Sequence, residues 1–422
     1  MKTLINLGYG KQQIELAFDP DRFEVLTRDN AEKPLSDAEI NAALDAPIDS
    51  DVLENIVGAG ETVLIVVPDA TRAVASGQIV NLLVRRLIAN GVMPFDIRIV
   101  FATGIHRAVT PDEKIDLLTG FIAQRIKTLD HNPRDLVQLI NLGATTRGTT
   151  IELNRALVEH DRVILVGGVS FHYFAGFGGG RKLVCPGLAS SRTVNETHKL
   201  TFDFEKKTRL AGVETGKLAG NPVHEEFVEI VSKINPAFAI NTIVDEAGHA
   251  ARIFAGHWRA AHERACADYL ENHRVAITEK RPLVVVSAGG APFDLNLIQA
   301  HKALETASYA CADGGTIIWL AECPDGLGRA DFLNWFRAES SQQLAENLEK
   351  KFQVNGQTAW SLLEKAERFK IHLISNLPIE QTQQMRLREA HNLNEVLNQV
   401  DNTTSGYILP FGAKFFPQLK EN

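Results

Sequence analysis

The stretch from Gly167 to Gly187 limits this chain most. It packs seven glycines into twenty-one residues, directly after the apolar run Val163-Ile164-Leu165-Val166. A short, wholly apolar run reads as a buried strand, and a glycine-dense segment after it reads as a loop at the strand's carboxyl end. Glycine reaches backbone angles closed to other residues and lets backbone N–H groups come close to a ligand. Several such groups in succession make a nest for an anion. The loop also holds His172 and, after Gly178-Gly179-Gly180, the pair Arg181-Lys182. A lysine there is a point charge or, when desolvated, a nucleophilic amine. A helix is expected next, with Ser190 or Ser191 as N-cap and His198 near its far end.

Two standard phosphate motifs do not fit. In the P-loop a lysine follows its glycine directly and a Ser or Thr follows the lysine; here Arg181 intervenes and Leu183 takes the hydroxyl position. A dinucleotide fingerprint beginning at Gly176-Phe177-Gly178 would need its third glycine where Arg181 stands. The loop is therefore read as gripping phosphate by a different route, against the plainer alternative of a glycine-rich turn with no ligand.

Around it the chain alternates apolar strands with amphipathic helices. Thr62–Val67 leads to Pro68-Asp69-Ala70-Thr71-Arg72 and a helix over Ser76–Ala89. Ile97–Phe101 leads to Thr103-Gly104-Ile105-His106-Arg107 and a helix opening at Pro111. A second series has strands at Pro282–Ser287, Thr316–Leu320 and Lys370–Ile374. Residues 4–19 read as a hairpin, 36–44 as a short helix, and 247–280 as helix. This alternation argues an α/β fold of two domains, each built on a largely parallel sheet with flanking helices, with the active site in the inter-domain cleft. The expected domains are residues 1–275 and 276–405, with 406–422 a tail returning to the first. Asp69, Arg72, His106, Arg107 and His172 all follow strand ends, the edge where open α/β sheets bind ligands.

Composition narrows the partners. A net charge of −8 without a basic cluster argues against nucleic acid. The longest apolar runs are strand-sized and Met1–Asn6 has no apolar core, so neither a membrane span nor a signal peptide is expected. Four cysteines without C-x-x-C spacing read as reduced thiols in a cytoplasmic protein. Of thirteen histidines, His106, His172 and His198 stand out beside glycines or on the helix after them; neutral imidazole is both a metal ligand and a proton carrier. His131 leans towards a structural place, His224 towards a helix start, and His262, in H-E-x-x-C with Cys266, towards a helix surface.

At these residues the sequence resembles the nickel-pincer lactate racemase family of 2-hydroxyacid racemases and epimerases. The likeness runs over nearly the whole chain. It rests on Asp69-Ala70-Thr71-Arg72, Gly104-Ile105-His106-Arg107, His172-Tyr173-Phe174-Ala175-Gly176 with Gly179-Gly180-Arg181-Lys182, then His198, Gln299 with Lys302, and Cys323-Pro324-Asp325-Gly326-Leu327-Gly328. The resemblance implies a pyridinium-3-thioamide-5-thiocarboxylic acid mononucleotide that holds nickel and is tethered to Lys182, with His198 completing the metal's ligands. It implies His106 and His172 as the acid–base pair, Asp69 and Gly178, Gly179 and Gly180 on the cofactor, and Arg72, Gln299 and Lys302 on the substrate. Hydride would leave the substrate's Cα and return to its other face through a 2-oxoacid. The cofactor would come from separate maturation proteins. Ile298 stands where lactate racemases have a tyrosine before the glutamine, and Val169-Ser170-Phe171 lacks a Glu-Pro; both departures bear on which 2-hydroxyacid is used. Two other readings stay open: a zinc-dependent α/β hydrolase with a phosphate-binding glycine loop, which needs three protein ligands, and a homologue that binds hydroxyacids without the cofactor.

Overall fold

The computed structural model describes residues 2–28, 32–245 and 247–420. The chain forms two compact units. One, the glycine-loop unit, comprises Asn30–Thr201 and Leu210–Glu271; the other, the terminal unit, comprises Met1–Asp29, Phe202–Arg209 and Asn272–Asn422. The expected division was a single boundary near 275 with a tail returning to the first domain. Instead, the tail strand Gly406–Leu409 lies inside the terminal unit's sheet, paired in parallel with Leu283–Val286 and with Phe23–Val25. All four of its residues are buried, so its partner is set by long-range pairing that no local pattern announces.

The glycine-loop unit is built on six strands in the order Ala250–Gly256, Phe238–Val244, Arg162–Gly168, Val63–Pro68, Ile97–Ala102 and Lys127–Asp130. All adjacent pairs are parallel except the first, an antiparallel edge. Val63–Pro68 is buried at every position, as a central strand covered on both faces must be. From it the chain moves outward through Ile97–Ala102 to Lys127–Asp130, then returns to lay Arg162–Gly168 on its other side. That reversal makes a switch point between the carboxyl ends of Val63–Pro68 and Arg162–Gly168, where such sheets take their ligands. The two loops at that point are Asp69–Arg72 and the glycine stretch.

The helices start where their caps predict. Ser76–Ala89 buries Ile79, Val80, Leu83 and Leu87 on one face. Thr110 and Glu113 form a capping box with Pro111 at the first helical position, and Ser190 caps Ser191–Lys199. Residues 247–280 differ from expectation: they divide into the edge strand Ala250–Gly256, the helix Ala260–His273 and the strand Arg274–Ile277. The helix-favouring Ala250-Ala251-Arg252 is drawn into the sheet because its backbone completes the ladder of Phe238–Val244, and pairing overrides propensity.

The terminal unit has six parallel strands in the order Arg388–Glu389, Lys370–Ile374, Cys311–Leu320, Arg281–Ser287, Gly406–Leu409 and Phe23–Val25. The helix Leu297–Ala310 follows the central strand and carries Ile298, Gln299 and Lys302 in its first two turns. One turn further on it is fixed by a buried charge cluster. Glu305 lies 2.6 Å from Arg209 Nη1 and 2.5 Å from Lys365 Nζ. Burial opposes its charge, but Arg209 and Lys365 hold its carboxyl well below the ordinary value. Glu305→Ala would take the shared carboxylate from Arg209 and Lys365, leaving Lys365 with Glu364 at 3.8 Å. The expected loss is about 3–5 kcal/mol in urea unfolding; a loss below about 1 kcal/mol would contradict this account of the cluster.

Candidate active site

Asp69 sits immediately after the central strand of the glycine-loop unit and is buried. Its Oδ1 accepts from the Thr71 hydroxyl at 2.6 Å and the Thr71 N–H at 3.1 Å, while Oδ2 lies 2.7 Å from His106 Nδ1. Burial pushes the carboxyl up, but the hydrogen bond and charge of His106, then Thr71 and Arg72, outweigh it and hold it below its usual value. A carboxylate facing Nδ1 makes that nitrogen the donor and fixes the imidazole's tautomer. In its neutral form His106 then presents Nε2 as an acceptor, from a side chain that is 42% exposed. Asp69→Asn is expected to lower turnover by about 10²–10⁴, since an amide can turn its N–H towards Nδ1 and invert the tautomer. The check is the rate of the Asp69→Asn protein against wild type under the same conditions; an unchanged rate would contradict it.

Arg72, on the same turn, makes no ion pair among the described residues, which suits a guanidinium that meets an arriving carboxylate. Arg107 is different. Both its terminal nitrogens bind Glu113 of the Thr110 capping box, so it anchors a helix.

The glycine loop folds back as a short hairpin, Phe171–His172 on Gly176–Phe177, and enters a single 3-10 turn at Gly180–Leu183. Gly179 and Gly180 have φ of 72° and 46°; a Cβ on Gly179 would meet the Gly168 carbonyl at 2.8 Å and one on Gly180 the His262 ring at 2.5 Å. Gly178 is neither left-handed nor crowded, and its N–H is spent on the Ser170 carbonyl at 2.8 Å. Arg181 is 1% exposed, donating to the carbonyls of Ala175 and Phe177, with Nη1 3.0 Å from His262 Nε2. Burial pushes its guanidinium down to about 10. Arg181 thus ties the loop to itself from beneath. His262, expected on a helix surface, is buried behind the loop and kept neutral there by burial.

Three residues meet around Phe174. The His172 ring lies edge-on to it at 4.3 Å, the His198 ring at 5.0 Å, and Lys182 Nζ is 5.1 Å from its centroid. Phe227 closes the other side, 5.8 Å from Lys182 Nζ and 6.3 Å from His198. His172 is buried, stacks on Tyr173 and takes the Ala175 N–H at 3.4 Å on Nδ1. His198 Nδ1 is 2.7 Å from the Val194 carbonyl, one turn back in its own helix, so Nε2 carries the lone pair. Burial, then the charge of Lys182, lowers His198 to about 3, so it is the neutral imidazole a metal requires. The His106 loop is tied to the end of the glycine stretch through the Gly104 N–H, which donates to the Gly187 carbonyl at 2.8 Å.

Among the described residues, no three His, Cys, Asp or Glu side chains gather to hold a metal ion. A three-ligand protein zinc site therefore has no support among them. The donor set does fit a nickel-pincer nucleotide: one buried, oriented imidazole beside a lysine held between two aromatic rings. His131 is structural, its Nε2 3.1 Å from the Ala189 carbonyl, and His224 lies in the first turn of Pro222–Ser232. Ile298, Gln299 and Lys302 lie in the terminal unit, where Lys302 Nζ donates to Gln299 Oε1 at 2.9 Å. Sequence reasoning missed Phe227 and the burial of Arg181; neither has a local signal, because each depends on elements distant in the chain.

Residues 9–209 match the family model for the lactate racemase N-terminal domain, and 277–407 that for the lactate racemase C-terminal domain. The lactate racemase of Thermoanaerobacterium thermosaccharolyticum is 30% identical over 343 residues, 80% of this chain and 79% of that protein. That of Lactiplantibacillus plantarum is 33% identical over 333 residues, 78% and 77% respectively. The lactate racemase apoprotein structure from T. thermosaccharolyticum superposes with a TM-score of 0.90 at 27% identity, covering 99% of this chain and 100% of that one. A Thermotoga maritima crystal structure shares the fold, with a TM-score of 0.70 at 20% identity over 93% and 100%.

Proposed function

Because this chain belongs to the lactate racemase family, we propose that it is an isomerase, a racemase or epimerase of a small 2-hydroxyacid. We further propose that it works with a nickel-pincer nucleotide tethered to Lys182. The observation that carries this is the gathering of Lys182, His198 and His172 around Phe174, on the loop unit that also holds the Asp69–His106 pair. When bound, the cofactor supplies a reversible hydride acceptor for the substrate's Cα–H, by way of a 2-oxoacid.

The chain's own residues do the rest. Lys182 would carry the cofactor, His198 Nε2 would ligate its metal, and the loop of Gly178, Gly179 and Gly180 would take its phosphate. Arg72, Lys302 and Gln299 hold the substrate carboxylate and hydroxyl, and Ile298 faces its variable group. His106 takes the hydroxyl proton at Nε2 for one hand of the substrate and returns it for the other, while Asp69 keeps the imidazole in register. His172 does the same from the opposite side, since one carbon read in both hands calls for two proton carriers. The aromatic walls Phe174 and Phe227 keep water from the lysine and the metal-binding imidazole. Cytoplasmic maturation proteins would supply the cofactor. No helix among the described residues is long and apolar enough to cross a membrane.

The test is chiral chromatography of L-lactate and of bulkier 2-hydroxyacids after incubation with protein co-expressed with the cofactor-building enzymes. Interconversion of hands that requires nickel is expected. Nickel-loaded, adduct-bearing protein that racemises none of them would overturn the reading.

A further inference from the structure

One motif has no part in the chemistry above: Cys323-Pro324-Asp325-Gly326-Leu327-Gly328, which follows the strand Cys311–Leu320. Its backbone lies along the segment that opens the Leu297–Ala310 helix. The Cys323 N–H donates to the Asp294 carbonyl at 3.0 Å and the Asp325 N–H to the Leu295 carbonyl at 2.8 Å. In return the Leu297 N–H donates to the Gly326 carbonyl at 3.0 Å. Asp294 is itself fully buried, its Oδ2 accepting from the Gly10 N–H at 2.7 Å and the Glu322 N–H at 3.1 Å. The segment is therefore held at both ends.

Between those contacts stands Asn296, the helix's N-cap. Its side chain accepts from the Gln299 N–H at 3.0 Å. Gly328 presses against that side chain: a Cβ there would come within 2.7 Å of Asn296 Oδ1 and 2.8 Å of its Cγ, at a φ of +87°. Cys323 is buried with a φ of +56°, a conformation that a non-glycine residue keeps only when its surroundings impose it. Three backbone hydrogen bonds thus hold the residues on either side of Asn296, and Gly328 packs on its capping side chain. That cap fixes the turn bearing Gln299, whose side chain in turn accepts from Lys302.

We infer that Asn296, clamped by Gly328 of the Cys323–Gly328 loop, is a positioning residue for substrate binding: it sets the helix turn from which Gln299 and Lys302 reach the substrate. This rests on the proposed roles of Gln299 and Lys302. Neither Asn296 nor Gly328 touches substrate; both act through the cap. Loss of a cap of this type, converted to affinity, corresponds to about a three- to tenfold change.

The experiment is a double-mutant cycle on the matured protein with L-lactate as probe, comparing wild type, Asn296→Ala, Gly328→Ala and the double variant. Each single change should raise KM about three- to tenfold with kcat within about twofold, and the double should be no worse than the worse single, because both remove one cap. Asn296→Ser, which can still cap, should restore KM to within about twofold of wild type. Amide hydrogen exchange gives a readout independent of turnover: the Gln299 N–H should exchange faster in Asn296→Ala, with the central strand Arg281–Ser287 unchanged. Additive KM effects, a failed Asn296→Ser rescue, or unaltered exchange at Gln299 would overturn the inference. Lys302→Ala separates the two levels. If it leaves KM unchanged, the proposed substrate role fails; if it raises KM while the cap variants do not, the positioning role alone fails.

Discussion

Lys182→Ala is expected to yield folded protein that carries no covalent adduct and racemises nothing measurable. The side chain lies half-buried at the end of the Gly180–Leu183 turn, its amine 5.1 and 5.8 Å from the centres of Phe174 and Phe227. The amine lies over both ring faces, within reach of cation–π attraction. Alanine keeps the backbone hydrogen bonds that residue 182 makes with Gly179 and Gly187, and the loop keeps those of Arg181, so the melting temperature should move little. Lys182→Arg keeps the charge yet should be equally inactive, because a guanidinium cannot become the thioamide. Retained activity in either variant would remove the tether from the account.

Replacing His106 or His172 should separate proton transfer from metal binding. Each variant to alanine is expected to lose about 10²–10⁴ in kcat, in both directions, because conversion of either hand uses both imidazoles. Nickel content should stay at the wild-type level, since the proposed metal ligand is His198. His198→Ala should lose nickel together with activity: its Nε2 is the one left free by the Nδ1 bond to Val194. The two acid–base variants should also differ from each other. The His106 ring is 42% exposed and held by Asp69, so added imidazole can enter and restore part of its activity. His172 is buried between Tyr173 and Phe174, and rescue there should be weaker. A His106→Ala protein that racemises at the wild-type rate, or loses nickel as His198→Ala does, would contradict the assignment.

The strand ends were the legible part of this molecule. Val63–Pro68 and Ile97–Ala102 are apolar runs closed by polar turns, and buried parallel strands can be written in few other ways. Helix starts were legible for the same local reason: Ser36, Thr110 and Ser190 each accept from a backbone N–H three residues on. What failed was everything decided by a distant partner. Ala250–Gly256 has helical composition but completes a sheet edge, and Gly406–Leu409 and Phe23–Val25, far apart in sequence, become neighbours in one sheet. In the site, His106 could be singled out by its strand-end position, but its pairing with Asp69 joins loops after two different strands. Arg181 could be seen beside the glycines, yet nothing local showed that it turns inward while Lys182 turns towards the aromatic rings. Likewise the Cys323–Gly328 motif was visible as a pattern and silent as to purpose, because its target, Asn296, belongs to the preceding loop.

The most direct test of the central claim is a tryptic peptide map of protein co-expressed with the cofactor-building enzymes, read alongside its nickel content. Trypsin cuts after Arg181, after an unmodified Lys182, and next after Arg192. A tethered Lys182 blocks the middle cut, so the account predicts a peptide Lys182–Arg192 carrying the mass of the nucleotide, in proportion to nickel and to racemase activity. Active, nickel-containing protein that instead yields the unmodified peptide Leu183–Arg192 in full would contradict it.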